Sequence, residues 1–277
     1  MPDLISVFTK WWKFIIGLSL VAVIVAFIAA TLSPKKYLSS TTALPANSLT
    51  ADKARIFNAN IEALYPEIGL PDELDKLEGT AALDTLFIAT VEEFNLVPHY
   101  KIEASDEATY KAALKLKRNS RISRTGYGEL KIKVWDEDRN MSAALANRLL
   151  DNLQQIHQHL QNENNSLILK KIKEGYILKL QEYKQVNDTT KKLASIEANI
   201  AEMQNNALLS QLQEYKKIIG EYELAVSLNP QVLLTVENAR PSLWPDKPRI
   251  LEIVLFTLAA AIGTTLLLAL IMERQKK

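Results

Sequence analysis

The residues of this chain whose types permit chemistry are three histidines and a few groups of acids. His157 and His159 stand two apart in "IHQHL". Residues two apart on a helix do not share a face, so the pair cannot readily chelate one ion and reads as part of a solvated surface. His99 follows Pro98 and reads as a loop residue. Glu92-Glu93 and Asp136-Glu137-Asp138 offer the carboxylates that a glycosidase uses in pairs. Their settings, a helical face and a helix start, account for them through solvation and the helix dipole. No Gly-x-x-x-x-Gly-Lys-[Ser/Thr] phosphate loop occurs, which argues against an ATPase or a fused kinase domain. With no cysteine there is no thiolate metal site, no disulfide framework and no cysteine nucleophile. A net charge of +1 with interspersed signs leaves no footprint for nucleic acid. The chain is expected to be no enzyme, with no cofactor and no metal.

Two apolar runs decide how everything else is positioned. Phe14 to Leu32 and Ile253 to Met272 carry no charged residue. Each is long enough for a bilayer core of about 30 Å. The first run follows Lys10 and Lys13, as a signal peptide would, but it exceeds the usual apolar core of about 7–15 residues. It also has the flanks of a span: Trp11 and Trp12 at one end and Tyr37 at the other, while Trp244 precedes the second run. The terminal tails hold Lys10, Lys13, Arg274, Lys276 and Lys277 against Asp3 and Glu273, which places both in the cytoplasm. Lys35, Lys36, Lys247 and Arg249 lie on the opposite side and weaken that asymmetry. The expected layout is a tail over 1–13, a span over 14–32, an external part over 33–249, a span over 250–272 and a tail over 273–277. Small residues at four-residue spacing, Ala22, Ala26 and Ala30 in the first span and Ala259 and Gly263 in the second, would permit close helix contact.

The external part begins with a strand over Tyr37–Leu44. A helix is expected over Ala51–Leu64, with Thr50 as its cap. More helices follow in "PDELDKLEG", "ALDTLFIATVEEFNL" and "ASDEATYKAALKLKRNS", the second placing Leu83, Leu86, Phe87, Val91 and Phe94 on one stripe. "RISRTGYGELKIKVWDED" reads as a hairpin, because Leu130, Ile132 and Val134 alternate with lysines after a turn bracketed by Gly126 and Gly128. Asp136 or Asp138 then caps a helix opening at "RNMSAALANRLLDNL".

That helical pattern continues as an arm over about 139–228, with apolar residues at three-and-four spacing. Leu180, Leu193, Ile196 and Ile200 belong to this seam, which is expected to pack arms together. The chain must turn back, because "QVLLTVENA" reads as a strand and the second span follows. A turn at Asn187–Thr190 gives an outgoing helix of about 75 Å and a return of about 60 Å. The competing turn at Asn205-Asn206 leaves a return of only about 35 Å, so Asn187–Thr190 is preferred. The fold class is an α/β (α+β) membrane-proximal domain with a long helical arm, flanked by two transmembrane helices.

One stretch remains: "ENARPSLWPDKPR", with Pro241, Pro245 and Pro248 just before the second span. Proline removes a donor and biases its predecessor to extended backbone, so the segment is a stiff, non-helical joint over 241–248. A spacer that stops the span from extending outward explains it as well as a contact with a partner does.

Taken in order, these parts resemble the Wzz-type polysaccharide chain-length determinants, or polysaccharide co-polymerases. The resemblance rests on "SPKKYLSSTTAL" after the first span, on "LKIKVWDEDRNMSAALANRLLDNL" with its Ala144-x-x-Asn147 step, and on the proline-rich segment with Pro241, Pro245, Lys247 and Pro248. It covers nearly the whole chain and is mostly architectural in the arm. It implies a two-pass inner-membrane protein of Gram-negative type, with a periplasmic domain that assembles into a ring-like homo-oligomer. It implies also that the protein sets the modal length of a lipid-linked surface polysaccharide, O-antigen-like, made by a separate membrane-embedded polymerase, without catalysis of its own. The nearest rival is an adaptor that activates a cytoplasmic tyrosine kinase in capsule or exopolysaccharide export; the short tail "ERQKK" speaks against it. A sensory or adhesion protein would need a signalling domain, which this sequence does not contain.

Overall fold

A computed structural model describes residues 4–46, 71–190 and 196–275. The helix expected over Ala51–Leu64, with Thr50, lies outside the described residues, as does Leu193. The chain forms two compact units. The first gathers Met1–Ser40, Lys133–Ala146 and Ala239–Lys277; the second gathers Thr41–Ile132 and Asn147–Asn238.

The first unit contains the two apolar helices, α1 (Leu4–Leu32) and α8 (Ile250–Gln275). Within them Lys10–Leu32 and Ile250–Glu273 are long and apolar enough to cross a membrane, with mean hydropathies of 2.8 and 2.4. α1 starts ahead of the apolar run, since no proline or glycine interrupts the chain between Leu4 and Phe14. The two helices pack against each other. Their outward faces carry large apolar side chains such as Val25, Phe27, Leu255 and Phe256, the surface expected of helices solvated by lipid.

A four-stranded sheet has the order β2-β3-β1-β4, with β1 at Tyr37–Pro45, β2 at Ser120–Arg124, β3 at Leu130–Asp136 and β4 at Leu233–Glu237. β1 and β4 are antiparallel, pairing Ala43 with Thr235 and Pro45 with Leu233, and the register shifts between Thr42 and Ala43. Along β3 Leu130, Ile132, Val134 and Asp136 are buried in strict alternation, so the period-two pattern in the sequence is the pattern of burial. The β2–β3 turn is closed by the Thr125 amide donating to the Glu129 carbonyl at 2.7 Å, with Gly128 at φ +78°, where a side chain would be strained.

The second unit has its core in α2 (Pro71–Ala81), α3 (Asp84–Phe94), α4 (Leu96–His99) and α5 (Ala108–Arg118) with β2 beside them. Leu77, Leu86, Leu96, Leu116, Leu149 and Leu153 are among its fully buried side chains. The α3 stripe differs from expectation at one end. Leu83 occupies the N-cap and is exposed, whereas Thr90 is buried and donates to the Leu86 carbonyl at 2.9 Å. His99 closes α4, a single helical turn, rather than lying in a loop, because Asn95 takes the left-handed conformation that ends α3 and lets a new turn begin.

α6 (Arg139–Thr190) runs for 52 residues, a rise of about 78 Å. Of the two candidate caps Asp138 performs the capping: its Oδ1 accepts from the Asn140 amide at 2.7 Å. Asp136 instead accepts from the Asp138 amide at 3.0 Å, holding the turn before the helix. α7 (Ile196–Leu228) returns antiparallel to α6: Gln158 Nε2 donates to the Asn229 carbonyl, Lys173 pairs with Glu223 at 2.7 Å, and Gly175 lies against Tyr215. The preferred turn at Asn187–Thr190 is corrected, since all four residues are helical. "VNDTT" offers cap residues, but nothing in it forbids helix, and helical hydrogen bonding continues through it. Asn205-Asn206 lie inside α7.

Candidate functional site

The chain ties down the proline-rich joint from several directions. Residues 238–249 form no helix, and α8 begins two residues after Pro248. The Lys247–Pro248 peptide is cis. At the upstream end Ser39 Oγ donates to the Arg240 carbonyl at 2.9 Å and lies 2.8 Å from Ser142 Oγ. Downstream, the backbone of Lys36 makes an antiparallel bridge with Lys247: the Lys36 amide donates to the Lys247 carbonyl at 3.0 Å. The Asp246 and Lys247 amides donate back to the Lys36 carbonyl, at 2.9 and 3.2 Å. The segment leaving the first apolar helix and the segment entering the second are thus paired.

Trp135 completes the tie. It stands at an outward position of β3, and its indole Nε1 donates to Asp246 Oδ2 at 2.7 Å. Lys247 Nζ sits 4.4 Å from the centroid of the same ring, a cation–π arrangement. Arg249 bridges Asp246 and Glu252, both at 3.1 Å, carrying the connection into the first turn of α8. The indole hydrogen bond, chiefly, holds the Asp246 carboxyl below its ordinary value against the opposing effect of burial, with help from the Arg249 hydrogen bond and the charges of Arg249 and Lys247. Hydrogen bonds from Arg249 to Asp246 and Glu252 in turn raise the pKa of its guanidinium. The sequence pointed to Pro241, Pro245, Lys247 and Pro248 but not to Trp135 or Asp246, and to Lys36 only as a charge flanking the span. An aromatic on the lysine-bearing face of β3 was the available signal, because such a ring needs a partner for its N–H.

On α8 the contact between the apolar helices is built from other residues than those expected. Ala30 is buried and Ala22 and Ala26 are half-buried, on the same face as Ile15 and Ser19. On α8 the expected Ala259 and Gly263 are exposed, and Ala261, Thr265 and Ala269 are buried instead. Thr265 satisfies its own hydroxyl on the Ala261 carbonyl at 2.8 Å, so threonine serves as a small residue here. At the ends nearest the termini Lys10 Nζ and Trp11 Nε1 both donate to the Glu273 carboxylate, at 2.8 and 3.1 Å.

The proposed arm seam is described only in part. Leu180 is half-buried, Ile200 is exposed, and the Ile196 side chain lies outside the described residues along with Leu193. What α7 buries is Ala201, Leu208, Leu212, Glu221 and Ala225. The acids and histidines that invited chemistry are dispersed: Glu93 pairs with Arg148 and His159 with Glu163. Among the described residues no three metal-ligating side chains come together.

The chain resembles polysaccharide co-polymerases. A full-length bacterial polysaccharide co-polymerase aligns with 100% of this chain and 98% of its own length, at 12% identity and a TM-score of 0.43. A fragment of WzzB, the polysaccharide co-polymerase from Salmonella Typhimurium, aligns with 77% of this chain and 100% of its own, at 13% identity and a TM-score of 0.32. A point mutant of the Shigella flexneri lipopolysaccharide O-antigen chain-length regulator WzzBSF aligns with 76% of this chain and 100% of its own, at 10% identity and a TM-score of 0.29. No protein-family model and no curated protein sequence matches the chain.

Proposed function

We propose that this chain is a non-catalytic regulator that sets the modal length of a lipid-linked, O-antigen-like surface polysaccharide made by a separate membrane polymerase. It sits in the bacterial inner membrane with both termini in the cytoplasm and the sheet and long helices in the periplasm, and it acts as a ring-like homo-oligomer. The observation that carries the reading is the joint: Lys36, Trp135, Asp246 and Lys247 fasten two apolar helices to a sheet strand beside the proline-rich segment. Such a joint transmits the packing of the folded part to the spacing of the helices in the membrane, which is what a protein that biases a membrane polymerase through its own assembly requires. The sequence resemblance supplies the glycan. A role without catalysis is supported by the engagement of Asp138 in a helix cap and of Glu93 and His159 in ion pairs.

The test is the surface-polysaccharide gel profile of cells with and without the gene. Chain-length control predicts a sharp band cluster that collapses to an unregulated ladder on deletion and returns on complementation. An unchanged modal length with lost capsule and lost kinase phosphorylation would favour the adaptor reading. No change in either would overturn both.

A further inference from the structure

Between its two anchored ends the joint carries a pair of side chains that the tie does not use. Leu243 and Trp244 are 77% and 78% exposed, adjacent in sequence, and placed between Pro241 and Pro245. Their backbone is constrained from both sides: Arg240 is held by Ser39, and Asp246 and Lys247 are held by Lys36. Ser242 Oγ donates to the Trp244 carbonyl at 2.8 Å and fixes the short turn between the prolines. The chain therefore presents a large aliphatic and a large aromatic group on a stiff loop. A surface-exposed apolar pair costs solubility unless something covers it.

We propose that the Leu243–Trp244 loop is a membrane-interface anchor that dips into the headgroup layer of the bilayer its own two helices cross. The inference rests on the reading of α1 and α8 as spans. Three observations select lipid as the occupant. The loop lies six residues before α8, and through the Lys36–Lys247 bridge it stands beside the exit of α1, so it is tethered close to the membrane surface. Lys35 and Arg240 are exposed on its flanks, a charge complement to anionic headgroups. An indole with an apolar body and a single N–H suits the zone where acyl chains meet water, and leucine adds depth without a polar group to satisfy. Pre-ordering by the two prolines means that little freedom is lost on insertion. The anchor fixes the height of the joint above the bilayer, a degree of freedom that the spans alone leave open.

The protein has no cysteine, so a single one can be labelled in the intact chain. Leu243→Cys carrying a nitroxide, in vesicles of phosphatidylethanolamine and phosphatidylglycerol, reports depth through collisions with oxygen against a water-soluble nickel chelate. The expected result favours oxygen, at a depth of about 5–10 Å below the headgroup surface. Tyr127→Cys, 91% exposed in the β2–β3 turn, gives the aqueous reference, and Leu255→Cys in α8 gives the acyl-chain reference. A Leu243 label as open to the chelate as the Tyr127 label overturns the proposal, and so does one shielded from both reagents, which marks a protein partner. A Leu255 label without acyl-chain depth overturns the span reading itself and the anchor with it.

Discussion

Removing the Asp246 carboxylate tests whether the joint is held as described. In Asp246→Ala the Trp135 N–H loses an acceptor at 2.7 Å, and Arg249 loses one of its two acids. A hydrogen bond to a charged group contributes about 1.5–3 kcal/mol when well shielded. The Asp246 side chain retains 21% exposure, so water competes and a value below that range, about 1 kcal/mol, is appropriate. The Arg249 contact is solvated and adds no figure of its own. About 1 kcal/mol is roughly a fivefold change in a local opening equilibrium. The readout is hydrogen exchange of the Lys36, Asp246 and Lys247 amides, whose bridge opens when the joint loosens. Exchange there should quicken roughly fivefold, while amides in α5 and β3 keep their rates. Trp135→Phe should reproduce most of the effect, and Asp246→Asn, which keeps an acceptor oxygen, only part of it. Unaltered exchange in both Asp246→Ala and Trp135→Phe would refute the argument. The pH dependence has a definite sign. Because the folded carboxyl titrates below its ordinary value of 3.8, its contribution is complete above that value and is lost as pH falls through the depressed one.

Other perturbations probe the rest of the chain. Thr90→Val deprives the buried Asn152 Nδ2 of its acceptor at 3.0 Å and should cost about 1–3 kcal/mol in thermal unfolding of the full chain in detergent. Thr90→Val with Asn152→Leu should cost less than the sum of the single changes. Ala261→Leu, on the buried face of α8, should destabilise the helix pair by about 1–3 kcal/mol, whereas Gly263→Leu on the exposed face should not; equal effects would mean that the packed face is misassigned. Gly175→Ala should be near neutral, because a helix-propensity gain of about 1 kcal/mol offsets crowding of its Cβ against Tyr215 Oη at 3.1 Å. Gly175→Leu should lower the melting temperature by forcing α6 and α7 apart.

Periodic burial is what the sequence displays best. The alternation along β3 and the apolar run of α8 place those elements within a few residues, and the run of α1 places its end but not its start, which lies ten residues earlier at Leu4. The joint was legible as a stiff segment because proline acts locally. Its partners were not: Trp135 and Asp246 lie 111 residues apart, and no local pattern encodes that meeting. Within the spans small and apolar residues occur on every face, so the packed face follows from the partner helix. Thr265 is tolerated on that face because its hydroxyl is satisfied internally. The end of α6 eluded local reading for a related reason: asparagine and threonine permit a turn without requiring one.

The bridge between Lys36 and Lys247 makes everything between them a loop closed at its root. The entropic cost of closing a chain rises only with the logarithm of its length, about 0.6 kcal/mol for each doubling. Matched insertions or deletions of whole helical turns in α6 and α7 would therefore leave the root almost untouched in free energy. Arm length is a variable that evolution, or an engineer, can change at little cost to the membrane-proximal joint.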